Sequence, residues 1–343
     1  MNHLDSGVPV KKIITLIFAA SVSLLFLLCP AEAAEKHIIK FATLAPEGSA
    51  WMKTMRAAES AIKEKSRGEV IFRVYPGGVA GDELDVLRKM RIGQIHAAAF
   101  SGVGFGEILP MVRVLDLPFL FRGYPEIDKV HEELESYFSQ NFLEKGFVLL
   151  SWAEVGNVHL FSKQPIQKVE DIARRKVWTW SGDPVAKETF TQMGTSPIPL
   201  SVADVITSLN TGMIDTVYGP PLGAVALQWH RYLKFMTSLP LTHSTGALLI
   251  SAESFKRIPE EHSRMIKSEI REAMARLTRE LREQNEAAIQ IIQKGGVTIT
   301  PMPAGADLEA FYRIHDQVAR KLAGDLFPKE LLDRINKILA AFR

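Results

Sequence analysis

The stretch Lys176-Val177-Trp178-Thr179-Trp180-Ser181-Gly182-Asp183-Pro184 carries the residues best suited to binding chemistry. Alternation puts Trp178 and Trp180 on one face of a strand and Val177 and Thr179 on the other. Ser-Gly-Asp-Pro then ends the strand and starts a helix, with Asp183 as N-cap and Pro184 in the first turn. Three first-turn amides left free there would make the strand's C-terminal tip a ligand-binding corner. Two indoles beside that corner either line a pocket or, for at least one of them, fill the core.

Reactive chemistry is missing elsewhere. The nine histidines form no ligand cluster. His131-Glu132-Glu133-Leu134-Glu135 lacks the second His of a zinc-protease helix and reads as a solvated helix face. His159, His230 and His243 are scattered and read as satisfied polar residues. There is no Gly-x-Ser-x-Gly elbow. The loop Ser101-Gly102-Val103-Gly104-Phe105-Gly106 has Glu107 where a dinucleotide fingerprint needs its third glycine, and no Lys follows for a phosphate loop. It reads as backbone that must approach a ligand closely. The expectation is a binding protein with no enzymatic activity, no cofactor and no metal.

The chain has 343 residues, enough for two domains, and a net charge of +2 gives no basic face for nucleic acid. Lys11 and Lys12 precede an apolar run from Ile13 to Leu28, and Ala31-Glu32-Ala33 fits a small-x-small cleavage site. The run falls short of the ~20 residues of a membrane span, so residues 1–33 are expected to be a signal peptide cleaved near Ala33. Cleavage leaves the net charge unchanged, since Asp5 and Glu32 depart with Lys11 and Lys12. It also removes Cys29, the single cysteine, so the exported chain folds without disulfides.

Strands and helices alternate along the rest, the mark of an α/β protein. A strand at His37–Thr43 leads to a helix capped by Ser49; Glu69–Tyr75 is a strand; Asp82-Glu83 opens a helix before Gly93; and Ile95–Phe100 is a buried strand. A helix covers 124–145, strands cover Phe147–Trp152 and Asn157–Phe161, and Ser201 with Asp204 reads as a capping box. Residues 253–296 form one helical pattern, at ~1.5 Å per residue long enough to cross between two lobes.

In this order the chain resembles the solute receptors of tripartite ATP-independent periplasmic (TRAP) transporters, of the dicarboxylate-receptor type. The markers are Phe41-Ala42-Thr43 with Pro46 and Gly48, Tyr75-Pro76-Gly77-Gly78 through Gly81, Gly93-Gln94-Ile95, and Leu115-Asp116-Leu117-Pro118-Phe119-Leu120-Phe121. They continue with Ser162-Lys163-Gln164-Pro165-Ile166, Lys176-Val177, Gly194 with Pro197, Pro199 and Leu200, and Thr211-Gly212-Met213-Ile214-Asp215. The resemblance implies an α/β, two-lobed periplasmic binding protein of Venus-flytrap type, with crossing hinge strands and a long inter-lobe helix. Lobe I would be 34–156 plus 246–285, and lobe II 157–245 plus 286–343. It further implies a periplasmic receptor that closes on a small solute and delivers it to TRAP permease membrane subunits. A tetratricopeptide-repeat periplasmic lipoprotein is a further partner implied for members without the usual arginine. A ligand-sensing adaptor without uptake is the alternative role.

One departure from the pattern bears on the ligand. Where carboxylate-binding members are similar in carrying a clamping Arg, two residues after Lys176, this chain has Trp178. The crossing segment Gly156-Asn157-Val158-His159 lacks a second Arg, and Gly219 replaces an Asn. An unpaired buried carboxylate costs several kcal/mol, and an indole cannot offset it as a bidentate Arg does. The expected ligand is therefore apolar, aromatic or uncharged, not a C4-dicarboxylate; an organic acid held by a non-standard clamp is the alternative. The expected binding residues are Trp178, Trp180, Asn157 and Tyr218 from lobe II, with Ser101, Phe105, Trp51 and Glu83 from lobe I.

Overall fold

The first strand, β1 (His37–Ala42), is the seed of a parallel group with β2 (Val70–Tyr75) and β3 (Ala97–Ser101) on its two sides. The computed structural model describes residues 36–343, so the expected signal peptide, Cys29 included, lies outside the described residues. Between β1 and β2 runs α1 (Ala50–Lys65), started by Ser49, whose hydroxyl accepts the Met52 amide at 3.2 Å. Its buried stripe is Met52, Met55, Ala58 and Ile62, the helical spacing of an amphipathic face. Asp82 caps α2 (Glu83–Arg91), and the short α3 (Gly102–Gly106) leads into a 3₁₀ turn, Pro110–Asp116. The helix α4 (Tyr124–Glu144) returns the chain to the sheet.

The next strand, β4 (Phe147–Ser162), is continuous through the residues where the sequence reading places two separate strands. Its partner is the antiparallel β9 (Thr242–Ser251), in register from Phe147↔Ser251 to Val158↔Thr242, with irregularities at Leu149/Ser151 and Glu154/Gly156. Those bulges absorb Leu150 and Val155 without ending the ladder. Between the two strands lie α5 (Val169–Ile172), β5 (Trp178–Trp180), α6 (Pro184–Gln192), β6 (Ile198–Leu200), α7 (Val205–Thr211), β7 (Thr216–Gly219), α8 (Pro221–Ala226) and β8 (Phe235–Thr237). The first part of β4 pairs with β9 beside β3, and its last part pairs with β7 and β8. One 8-stranded mixed sheet, ordered β10-β8-β4-β9-β3-β1-β2 with β7 also on β4, thus passes through both lobes. β5 and β6 form a separate parallel pair.

After β9 come α9 (Ala252–Lys256), α10 (Glu260–Lys294), β10 (Thr298–Thr300), α11 (Gly305–Leu322) and α12 (Lys329–Phe342). The expected single helix over 253–296 is broken near Pro259, whose missing amide suits a helix start and not an interior. The 35 residues of α10 still span about 50 Å. Ile266, Ile270, Met274 and Leu277 enter a core with Phe41, Met55 and Phe72, whereas Ile292 enters another with Phe161, Trp178 and Trp229. One helix therefore serves the cores of both lobes.

Among the residues assigned to lobe II from sequence, α11 packs on α5 and α6, but α12 packs on α4. Arg343 pairs with Glu126 at 2.8 Å, and Arg334 donates to the Glu133 carbonyl at 3.2 Å. The Ser201–Asp204 capping box does not form: the Ser201 hydroxyl donates to the Asp204 carboxylate at 2.7 Å, and neither side chain caps the backbone. His131 also differs from expectation, because it turns from the exposed face of α4 to stack on Trp152 at 5.0 Å.

Candidate functional site

The β5 corner is built as its residues dictate, but its two indoles have different surroundings. Trp178 is 2% exposed. It stacks on Tyr218 with ring centroids 5.0 Å apart, meets the edge of Trp229 at 5.3 Å, and donates Nε1–H to the Leu200 carbonyl at 3.1 Å. Trp180 stays half-buried at the rim of that cluster, and its amide donates to the Tyr218 hydroxyl at 3.3 Å. Asp183 does cap α6, with Oδ1 accepting the Val185 and Ala186 amides at 3.1 and 3.0 Å. The expected free amides are therefore absent: Pro184 has none, and the cap itself takes the next two.

What faces this corner is Arg113, from the 3₁₀ turn of the other lobe. Its Nη2 lies 2.5 Å from Asp183 Oδ1 and its Nη1 3.0 Å from Asp116 Oδ2. Arg113 is 4% exposed and both acids are buried. The Tyr218 hydroxyl donates to Asp183 Oδ2 at 3.2 Å. Burial pushes the Asp116 carboxyl up to about 6, against the pull of Arg113. The Tyr218 hydroxyl is held well above its ordinary range by burial and by the Asp183 charge.

The glycine-rich segment, expected to approach a ligand, approaches these charges instead. A Cβ at Gly102 would lie 2.3 Å from Asp116 Oδ2, and one at Gly106 would lie 2.5 Å from Arg113 Cδ. A Cβ at Gly104 would lie 2.3 Å from Glu83 Oε2. α3 is thus a helix without side chains on the faces where three buried ionisable groups lie. Glu83 accepts from the Ser101 amide at 2.8 Å, the Ser101 hydroxyl at 2.9 Å and the Gly104 amide at 2.8 Å. Burial outweighs these bonds and pushes its carboxyl up to about 7. Its neighbour Leu84 reaches lobe II, with Cδ1 4.0 Å from where a Gly182 Cβ would stand.

Asn157, half-buried on β4, places Oδ1 3.1 Å from His243 Nδ1. His243 Nε2 has no hydrogen-bond partner and lies 3.8 Å from Glu154 Oε2. Glu154 and Asp128 are forked by Arg282 at 2.7 and 2.6 Å, and that guanidinium lies over the Tyr124 ring at 4.2 Å. Phe105 is fully buried against Phe142 and Trp152. Trp51 is half-buried at the start of α1, against the core that holds Phe41. Of the expected residues, Trp178, Trp180 and Tyr218 come together around Asp183, while Glu83 and Ser101 bond to each other beside α3.

Sequence reading missed Arg113, Asp116 and Asp183 as a set. The available signal was a lone cation inside the apolar run from Pro110 to Phe121, preceded by three glycines that leave it space. Two cavities of about 10 Å³, each the room of about one water, adjoin Glu83 and Phe119 respectively. Among the described residues, no group of three or more His, Cys, Asp or Glu side chains is arranged to hold a metal ion.

This architecture, with two crossing strands and one long helix shared between lobes, agrees with the family whose pattern matches residues 41–325, bacterial extracellular solute-binding protein, family 7 (DctP). The chain belongs to this family. Along 92% of its length it is 22% identical to the C4-dicarboxylate-binding periplasmic protein DctP of Rhodobacter capsulatus, covering 96% of that protein. A solute-binding protein of Chromohalobacter salexigens is 29% identical over 165 residues, 48% of this chain and 49% of that one. The match thus spans about half the length of that relative. Among solved structures, the TRAP periplasmic solute-binding protein of Desulfovibrio salexigens with bound orotic acid superposes with a TM-score of 0.82. It is 20% identical and covers 90% of this chain and all of that one. The family 7 fold is therefore shared, while the junction around Arg113 is described by this chain's own residues.

Proposed function

We propose that this protein is a periplasmic receptor that captures a small organic solute between its lobes and passes it to the membrane subunits of a TRAP-type permease. It is a binding protein and not an enzyme, and a tetratricopeptide-repeat lipoprotein is a candidate partner. The solute is aromatic or uncharged. The observation that carries this reading is the state of Arg113, the buried cation at the junction, which already has two carboxylate partners. A solute carboxylate brought beside Asp116 and Asp183 meets like charge at low dielectric, which costs several kcal/mol. The half-buried indole of Trp180 offers stacking in its place.

A second reading has its own support. Arg113 is a buried guanidinium at the lobe junction, and a solute acid that displaced Asp183 would find a charge-assisted partner there. The binding of orotic acid by one structural relative and of C4-dicarboxylates by one sequence relative favours this alternative.

Mass spectrometry of the small molecule released when the purified exported protein is denatured separates the two. An aromatic or uncharged compound supports the first reading. A released organic acid overturns it and supports the second.

A further inference from the structure

The inference concerns Asp183 and rests on the receptor reading above. In a cleft that binds solute acids, a buried guanidinium waits for a carboxylate from the solute. Here the second lobe supplies the carboxylate itself. Asp183 is held for this from several sides: the Val185 and Ala186 amides fix Oδ1, and the Tyr218 hydroxyl donates to Oδ2. Arg113 has Asp116 as its ion-pair partner on its own lobe, at 3.0 Å, in space that Gly102 and Gly106 leave free of side chains. Asp183 is preset on its own lobe, by contacts that do not involve the other lobe or a solute, whereas, among the described residues, the hydrogen bond of the Arg113 side chain is the one to Asp183. We propose that Asp183 is a specificity-determining residue, a built-in counter-ion that occupies Arg113 and so refuses solute carboxylates.

Charge favours refusal. Arg113 faces Asp116 and Asp183 together, so two acids already stand against the one base. A second carboxylate could take Nη2 of Arg113 only by displacing Asp183, whose Oδ1 also serves its own helix cap. Removing the Asp183 charge while keeping an acceptor for the α6 amides should turn the same cleft into a site for organic acids. Arg113 then keeps Asp116 on Nη1, while Nη2 loses its charged partner and Nε has none.

The test uses the exported chain and two variants, Asp183→Asn and Asp183→Ser, each of which keeps a good N-cap. Their folding is checked by circular dichroism, and succinate and orotate are titrated into each by calorimetry. The proposal expects both acids to bind at least one variant about tenfold or more tighter than the wild type. Adding Arg113→Met to that variant should abolish the gain. Wild type binding either acid as tightly as the variants overturns the proposal. A gain that survives Arg113→Met also overturns it, since the acid would then sit elsewhere. If no folded variant gains affinity while the wild type releases an uncharged compound on denaturation, this inference fails and the receptor reading stands. If the wild type releases an organic acid, the ligand reading fails with it.

Discussion

Gly156 leaves the room that Asn285 fills: a Cβ on Gly156 would stand 2.6 Å from Asn285 Nδ2. From α10, Asn285 donates to the Val155 carbonyl at 3.3 Å and to the Leu281 carbonyl at 3.0 Å. Its Oδ1 accepts the Leu222 amide at 3.0 Å. One buried side chain thus ties the long helix to β4 at its bulge and to the start of α8. Gly156 has φ +121°, a conformation that L side chains rarely adopt.

Replacing Gly156 by Ala therefore adds backbone strain to a steric clash. The expected loss is about 2–4 kcal/mol of stability, read from urea unfolding. Asn285→Leu should cost about 2–3 kcal/mol by leaving the Val155 and Leu222 groups unpaired. A loss under about 0.5 kcal/mol in both variants would mean that the junction is not pinned at this point.

Trp178 and Trp180 separate a core role from a surface role two residues apart. Trp178→Ala opens a cavity among Tyr218, Trp229 and Leu200, and about 3–5 kcal/mol of stability should go with it. Trp180→Ala, at the rim, should leave stability much closer to wild type and weaken binding of a compound that the denatured wild type releases. Unfolding curves and binding of that compound check both. A Trp178→Ala protein as stable as wild type would remove the indole from the core.

The carboxyl of Glu83 titrates near neutrality, and the sign of its effect follows from that. Its pKa is raised from 4.5 to about 7 in the folded chain, so the protonated form is the one the fold favours. Its contribution to stability is complete below about pH 4.5 and is lost as pH rises through about 7. The stability difference between Glu83→Gln and wild type should accordingly shift in the variant's favour across that window, by up to about 3 kcal/mol. Buried His131 and His159, both pushed down to about 4, act oppositely and lose stability for both proteins as pH falls below about 6.5. The difference between variant and wild type cancels them. A difference that is flat with pH would mean that folding does not raise the Glu83 pKa.

Legibility along the chain tracked the range of the interaction. The caps at Ser49, Asp82 and Asp183, the left-handed stop at Gly212 and the apolar stripe of α10 depend on residues within a turn or two, and they could be read directly. The pairing of Ser201 with Asp204 could not: the spacing fits a capping box, yet a hydroxyl that reaches the carboxylate directly leaves the backbone uncapped. The break at Pro259 was local and available, but the apolar pattern on either side concealed it.

By itself, the sequence determined an α/β chain, its ordered family markers, the corner at Asp183 and the long helix, because alternation, capping and helical spacing are set by near neighbours. Tertiary structure decided that β4 runs unbroken through both lobes, that Trp178 is core while Trp180 is rim, and that the glycines of α3 clear space for charge. It also brought Arg113 to Asp183, 70 residues apart in the chain. No local pattern encodes that meeting, because it exists only once the crossing strands have set the two lobes face to face and excluded the water that would otherwise solvate both charges.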